Sequence, residues 1–302
     1  MKKIITFYSY KGGAGRSTTT LNTIPFLVEK LGATAERPLL LIDMDLDSAG
    51  MTYLLKSDKH FQENYDVKTF LEGQSKWPFK EEEDLSSHAL LKHFIKVGKK
   101  FGLEEGSVLF LGVNDKMPID NTQLESGGTR TIMRQIVRLC ENNNLPLVFD
   151  SSAGEQNSAL LVTAVSTEIV CCMRPTTQFR MGTFNYLRRL DDKGTSANLI
   201  LLPTVVPELD YILEDGSSQK ERALNEIRSD AEKFKQGNLK LRTDCIEKYF
   251  GINEVQRFKW REGLLYLIEK EKGLRAEDEK EAYKRYKELA ELLVNLKKDN
   301  NQ

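Results

Sequence analysis

Residues 9 to 19 read Ser-Tyr-Lys-Gly-Gly-Ala-Gly-Arg-Ser-Thr-Thr and follow directly on the apolar run Ile4-Ile5-Thr6-Phe7-Tyr8. A buried strand that runs into glycines at 12, 13 and 15 and leaves as a helix admits few folds. Backbone N–H groups converge on an anion only where no Cβ stands in the way. The helix starting near Gly15 points its positive end at the same place. Arg16 adds a cation for phosphate oxygens and Ser17 a hydroxyl for magnesium, so the segment reads as a phosphate-binding loop. A dinucleotide fingerprint, G-x-G-x-x-G begun at Gly13, fails because Thr18 stands where its third glycine or alanine belongs.

Two further strands end in carboxylates. Leu39-Leu40-Leu41-Ile42-Asp43-Met44-Asp45 follows the break at Arg37-Pro38, and Leu145-Pro146-Leu147-Val148-Phe149-Asp150 runs into Ser151-Ser152-Ala153-Gly154. Asp47 reads equally as a helix cap or turn residue before Ser48-Ala49-Gly50. The pattern predicts strands near 3–9, 39–43, 107–112, 146–150, 168–173 and 198–203, and helices at 16–31, 126–142, 156–166 and 178–190, with a mixed stretch at 51–106 and a polar loop from Asn114 to Gly128. Such alternation predicts an α/β fold, a mostly parallel twisted sheet with helices on both faces, whose ligands lie at the carboxyl ends of the strands. Pro25 predicts a kink or a shortened first turn in the first helix.

Lys11-Gly-Gly-x-Gly-Arg16-Ser17 resembles the deviant Walker A motif K-G-G-x-G-K-[ST] of the ParA/MinD family of P-loop ATPases, in a branch with arginine at the last basic position. The likeness runs from about Met1 to Val206 and includes Thr176 to Thr183 after the strand that ends at Arg174-Pro175. It implies a switch ATPase that binds Mg-ATP, dimerises around the nucleotide, hydrolyses slowly and controls a protein partner. The site residues it implies are Lys11, Gly12, Gly13, Ala14, Gly15, Arg16, Ser17, Thr18 and Gly154 on the nucleotide, with Lys11 reaching the partner subunit's phosphates. Ser17, Asp43 and Asp150 would serve Mg2+, Asp45 the attacking water, and Gly154 the γ-phosphate. Pro203 stands where relatives often carry a base-reading asparagine, which leaves the base to backbone groups near Val206 and Pro207. Arginine at 16 is planar and bidentate where lysine is a compact charge, and this predicts slow turnover or tight holding. The alternative is a nucleotide-holding sensor or scaffold without turnover.

The division expected is a nucleotide-binding core at 1–207, with an insertion near 51–106, and a helical C-terminal extension at 208–302 packed on it. With 302 residues, 40% of them hydrophobic, the chain can bury a full core. A net charge of −1 excludes a strongly electropositive protein but not a basic patch. The resemblance makes Arg257, Lys259 and Arg261 beside Trp260 candidates for sequence-independent DNA contact, while interspersed acidic residues read as a solvated helical surface. Ala282, Tyr283, Tyr286, Leu289, Ala290, Leu293 and Leu296 recur at helical spacing and either close the core or lie on a membrane. Trp77-Pro78-Phe79-Lys80 beside the acidic run at 81–84 reads as a partner site or as surface decoration. No stretch is long and apolar enough for a span, so a cytoplasmic protein is expected. Cys140, Cys171, Cys172 and Cys245, like His60, His88 and His93, lack metal-ligand spacing, and the cysteines read as reduced thiols.

Overall fold

The computed structural model describes residues 3–55, 67, 91, 94–113, 127–205, 211–234, 240–242 and 277–296. Within them the chain forms β1 (Ile4–Ser9), α1 (Arg16–Leu31), β2 (Leu39–Met44), α2 (Gly50–Leu55), β3 (Ile95–Lys96), a short 3-10 turn at Gly98–Phe101, and β4 (Val108–Leu111). Then come α3 (Gly127–Asn142), β5 (Leu147–Ala153), α4 (Asn157–Thr163), β6 (Glu168–Met173), α5 (Thr177–Asp192), β7 (Asn198–Pro203), α6 (Gln219–Lys233), β8 (Lys240–Arg242) and α7 (Glu277–Asn295). The strands form one sheet in the order β3-β4-β2-β5-β1-β6-β7-β8. Every neighbouring pair is parallel except β3 against β4.

Near-continuous apolar strands are what a sheet covered on both faces requires. Alternate residues divide between two cores. Ile5, Phe7, Leu39, Leu41 and Val148 face α1, α5 and α7, while Ile4, Leu40, Ile42, Leu147 and Phe149 face α3 and α4. β1 lies between β5 and β6, where the connections turn to opposite sides of the sheet. That switch point opens a crevice at the carboxyl ends of the strands, and the glycine-rich loop leaves β1 there.

α7 belongs to the first core. Tyr286, Leu289, Ala290, Leu293 and Leu296 are buried in it, so this part of the stripe packs against the protein, whereas the side chains of Ala282 and Tyr283 lie outside the described set. Lys3, itself buried, donates to Glu168 at 2.8 Å and to the carbonyls of Leu293 and Leu296, which ties the end of α7 to the sheet. Among the described residues no helix is long and apolar enough to cross a membrane.

Several expectations change. α1 runs unbroken from Arg16 through Pro25 to Leu31, so its first turn is not shortened. β5 continues past Asp150 to Ala153, because β2 and β1 still pair with Ser151 and Ala153. The two serines that look like a turn in sequence are buried in the sheet, where Ser151 donates to the Ser152 carbonyl and Ser152 bonds Ser158. Within the mixed stretch at 51–106, Ile95 pairs with Phe110 in an antiparallel edge strand. The 208–302 region is not wholly helical, since Lys240–Arg242 extends the sheet beside β7. Gly127 and Gly128, where the expected loop to Gly128 and the expected helix from 126 overlap, belong to the helix and open α3. The three histidines, Cys245, the 77–84 segment, Val206, Pro207 and the basic cluster at 257–261 lie outside the described residues.

Candidate functional site

The loop between β1 and α1 has the backbone its glycines suggest. Gly13 and Gly15 adopt φ of 76° and 73°, the left-handed region that other residues enter at a cost. Gly15 is the N-cap of α1, no side chain caps that end, and no acidic residue occupies the first turn. The first-turn amides therefore keep their donors for an anion. Gly12 and Gly13 are exposed, Ala14 is buried, and Lys11, Gly15, Ser17 and Thr18 are half-buried.

Beneath the loop lies a charged cluster built from the start of α1, the end of β2 with the residue after it, and β5. Asp43 and Asp150 sit opposite each other on adjacent parallel strands, β2 and β5, and both are fully buried. Arg16 turns inward, donating from Nε to Asp150 Oδ1 at 2.8 Å and from a terminal nitrogen to Asp45 Oδ2 at 2.6 Å, with Ser9 Oγ at 3.4 Å. Ser17 donates to Asp150 Oδ2 at 2.5 Å, and Thr20 donates to Oδ1 at 3.2 Å. Asp43 accepts from the Asp45 N–H at 3.0 Å and from both the N–H and hydroxyl of Thr52. The structure thus brings Arg16, Ser17, Asp43, Asp45 and Asp150 together.

Electrostatics follow from burial. Asp43 has its pKa raised to about 7, first because burial penalises its charge and second because Asp150 repels it. Burial also raises Asp150, against the pull of the Arg16 guanidinium and the Ser17 hydroxyl. Burial opposes the charge on Arg16, yet Asp150 and Asp45 hold it firmly protonated. Cys171 and Cys172 are free thiols inside β6, and burial raises both well out of the reactive range, as reduced core cysteines require. Cys140 is free and buried too.

Oxygen donors at Ser17 and Asp150 suit Mg2+, which prefers one or two carboxylates together with substrate phosphates over an all-protein cage. Among the described residues, no group of three or more His, Cys, Asp or Glu side chains is placed to hold a metal alone.

Solved structures share this architecture along nearly the whole chain. Apo McdA from Cyanothece is 15% identical, with a TM-score of 0.59 over 95% of this chain and 99% of that one. The septum site-determining protein MinD from Pyrococcus horikoshii OT3, complexed with Mg-ADP, is 17% identical, with a TM-score of 0.57 over 98% and 97%. pNOB8 ParA bound to nonspecific DNA is 13% identical, with a TM-score of 0.56 over 97% and 98%. The chain has the ParA/MinD-like P-loop fold. No protein-family model and no curated protein sequence matched it.

On this ParA/MinD-like scaffold, Tyr10 fills the position where an ordinary Walker A loop has its first glycine. Its ring lies on Gly182 of α5, where a Cβ would come within 2.5 Å of three ring carbons. Gly182→Ala must displace the ring. We expect this variant to lose about 1–3 kcal/mol in denaturant unfolding, as overpacked sites do; an unchanged unfolding midpoint would refute the contact.

The segment after β5 is tied to its surroundings. Gly154, at φ 76°, donates its N–H to the Ser9 carbonyl at 3.0 Å. Glu155 pairs with Arg189 of α5, and Gln156 donates to Asp47 at 2.6 Å. Asp47 lies in the turn at 46–48, as the turn reading expects, and its side chain also links that turn to the segment after β5. On the other side of β1, Val205 holds φ at 52°, unusual for a β-branched residue, and the buried Thr204 hydroxyl has no hydrogen-bond partner among the described residues. This strained end of β7 directly precedes Val206 and Pro207.

Sequence reasoning missed Arg174, whose Nε donates to the Gly13 carbonyl at 2.8 Å. Its position one residue after an apolar strand next to β1 was the available signal. Arg180, inside the stretch of resemblance from Thr176 to Thr183, pairs with Glu226 and Asp230, which ties α5 to α6.

Proposed function

We propose that this chain is a ParA/MinD-like switch ATPase that binds Mg-ATP, dimerises around it and uses slow hydrolysis to change its hold on a protein partner. One observation carries the reading. At the sheet's switch point, an uncapped helix N-terminus and two left-handed glycines stand above a serine hydroxyl that is bonded to the buried carboxylate of Asp150 in β5. The Mg-ADP complex of the MinD fold neighbour supports nucleotide with magnesium as the ligand, and the nonspecific DNA bound by pNOB8 ParA keeps DNA among the candidate partners.

In this reading the deviant Walker A loop, Lys11 through Thr18, surrounds the phosphates. Mg2+ would be held by Ser17 and Asp150, with Asp43 behind them, and would neutralise phosphate charge. Arg16 exchanges a carboxylate for the β- and γ-oxygens, which frees Asp45 to orient the attacking water. Lys11 crosses to the partner subunit's nucleotide. Gly154 gives up its bond to Ser9 when it meets the γ-phosphate, and the ties of Glu155 and Gln156 to α5 and Asp47 carry that change outward. Val206 and Pro207 remain the groups proposed to receive the adenine. The division at 207, the cytoplasmic setting and the DNA role of Arg257, Lys259 and Arg261 stay part of the same proposal.

A second reading, a nucleotide-holding sensor or scaffold, draws on one feature: Asp45, the residue proposed for the water, is engaged by Arg16 and Ser48. Calorimetry with ATP and Mg2+, followed by phosphate release over hours, separates the two. Binding with slow phosphate release supports the switch ATPase. Binding without release selects the sensor, and no binding rejects both.

A further inference from the structure

We infer that Arg174 is a second phosphate-binding cation of this site, reaching the β/γ end of a nucleoside triphosphate from the rim of the loop in the same subunit. The inference rests on the nucleotide-binding reading above and adds to it a residue outside the loop motif. Arg174 follows β6 directly, and β6 pairs with β1, so the arginine leaves the sheet beside the loop's own origin. Its Nε donates to the carbonyl of Gly13, one of the two exposed glycines of the loop. A Cβ added at Gly13 would lie 3.5 Å from a terminal nitrogen of Arg174, so the guanidinium rests against the loop itself.

Charge makes this placement informative. Arg16, Arg180 and Arg189 each have a carboxylate partner, whereas none lies within ion-pair distance of Arg174 among the described residues. The motif's own cation, Arg16, is shared between Asp45 and Asp150, so the cluster beneath the loop has no positive charge to spare. A polyphosphate approaching the loop therefore meets Lys11 of the loop and Arg174 beside it, neither of which has an ion pair among the described residues. With Nε spent on Gly13, the two terminal nitrogens of Arg174 retain four N–H donors in a planar fork, a geometry that matches two phosphate oxygens. Arg174 thereby supplies in cis the charge that Lys11 is proposed to supply in trans.

A loop clamp with no phosphate contact would show the same bond to Gly13, and the test separates the two. Affinities for Mg-ATP and for AMP are measured by calorimetry on the full chain, for wild type, Arg174→Gln and Arg174→Lys, with melting temperatures recorded alongside. We expect Arg174→Gln to weaken Mg-ATP about ten- to hundredfold, the size of a lost charge-assisted hydrogen bond, while AMP affinity and melting temperature hold. Arg174→Lys, which keeps the charge, should recover part of the loss and serves as the readout if the glutamine variant folds poorly. Equal losses for ATP and AMP, or an unchanged ATP affinity, would overturn the inference while leaving the nucleotide reading intact. A wild type that binds no nucleotide would overturn both.

Discussion

Replacing Arg16 with alanine is expected to destabilise the protein by about 3–5 kcal/mol, read from denaturant unfolding, as well as to abolish nucleotide binding. Arg16 is 6% exposed, and its partners Asp150 and Asp45 are 0% and 13% exposed, so little water reaches the pair. Removing the guanidinium strands two carboxylates in the interior beside a third, Asp43. That stranding, more than the loss of attraction, sets the size of the effect. Arg16→Lys should lose less, since an ammonium keeps the charge but cannot span both carboxylates as the fork does. Adding Asp150→Asn to the alanine variant should recover part of the loss by removing one stranded charge. A loss below about 1 kcal/mol, the range of exposed ion pairs, would contradict the inward orientation of Arg16.

The second large effect is a fall in stability as pH rises through the acidic range. Asp43 titrates at about 7 in the folded chain and at 3.8 in the unfolded one. Below the lower value it is protonated in both states and contributes no pH dependence. Between the two, the unfolded chain has released its proton while the folded chain still holds it, and stability declines with pH. Above about 7 the decline from this group is complete, and should amount to a few kcal/mol. Asp150 is shifted in the same direction and adds to the slope. Unfolding free energies measured from pH 4 to 8 should show this decline, and Asp43→Asn should flatten it. Asparagine gives up one of the acceptors now serving Asp45 and Thr52, so the variant also loses baseline stability at low pH. A slope that is identical in the variant would remove Asp43 as its source.

What the sequence made legible is what depends on residue type and local spacing. The loop, the carboxylate at the end of β2 and the one in β5 could be placed because each combines an apolar run with an adjacent glycine or acidic residue. β6 and β7 matched at both ends, since apolar runs bounded by polar residues leave little freedom in register. β3 and β8 were missed because two- and three-residue edge strands are made by their neighbours and have no periodicity of their own. The end of β5 was misplaced because Ser151 and Ser152 have turn-like chemistry, and only tertiary partners reveal that their hydroxyls are satisfied inside the sheet. In the cluster beneath the loop, Arg16, Ser17, Asp43, Asp45 and Asp150 could be named from sequence and their pairing could not. That Arg16 points at two carboxylates, that Tyr10 needs Gly182, that Arg174 holds Gly13 and that Asp47 meets Gln156 are contacts between residues 29 to 172 positions apart.

The central claim is that nucleotide joins two copies of this chain through Lys11. Light scattering with ATP and Mg2+, on wild type and Lys11→Ala, tests it most directly. The claim predicts a mass that doubles on adding ATP in the wild type and stays at that of one chain in the variant. A wild-type mass unmoved by saturating ATP, or an alanine variant that dimerises as well as its parent, would contradict it.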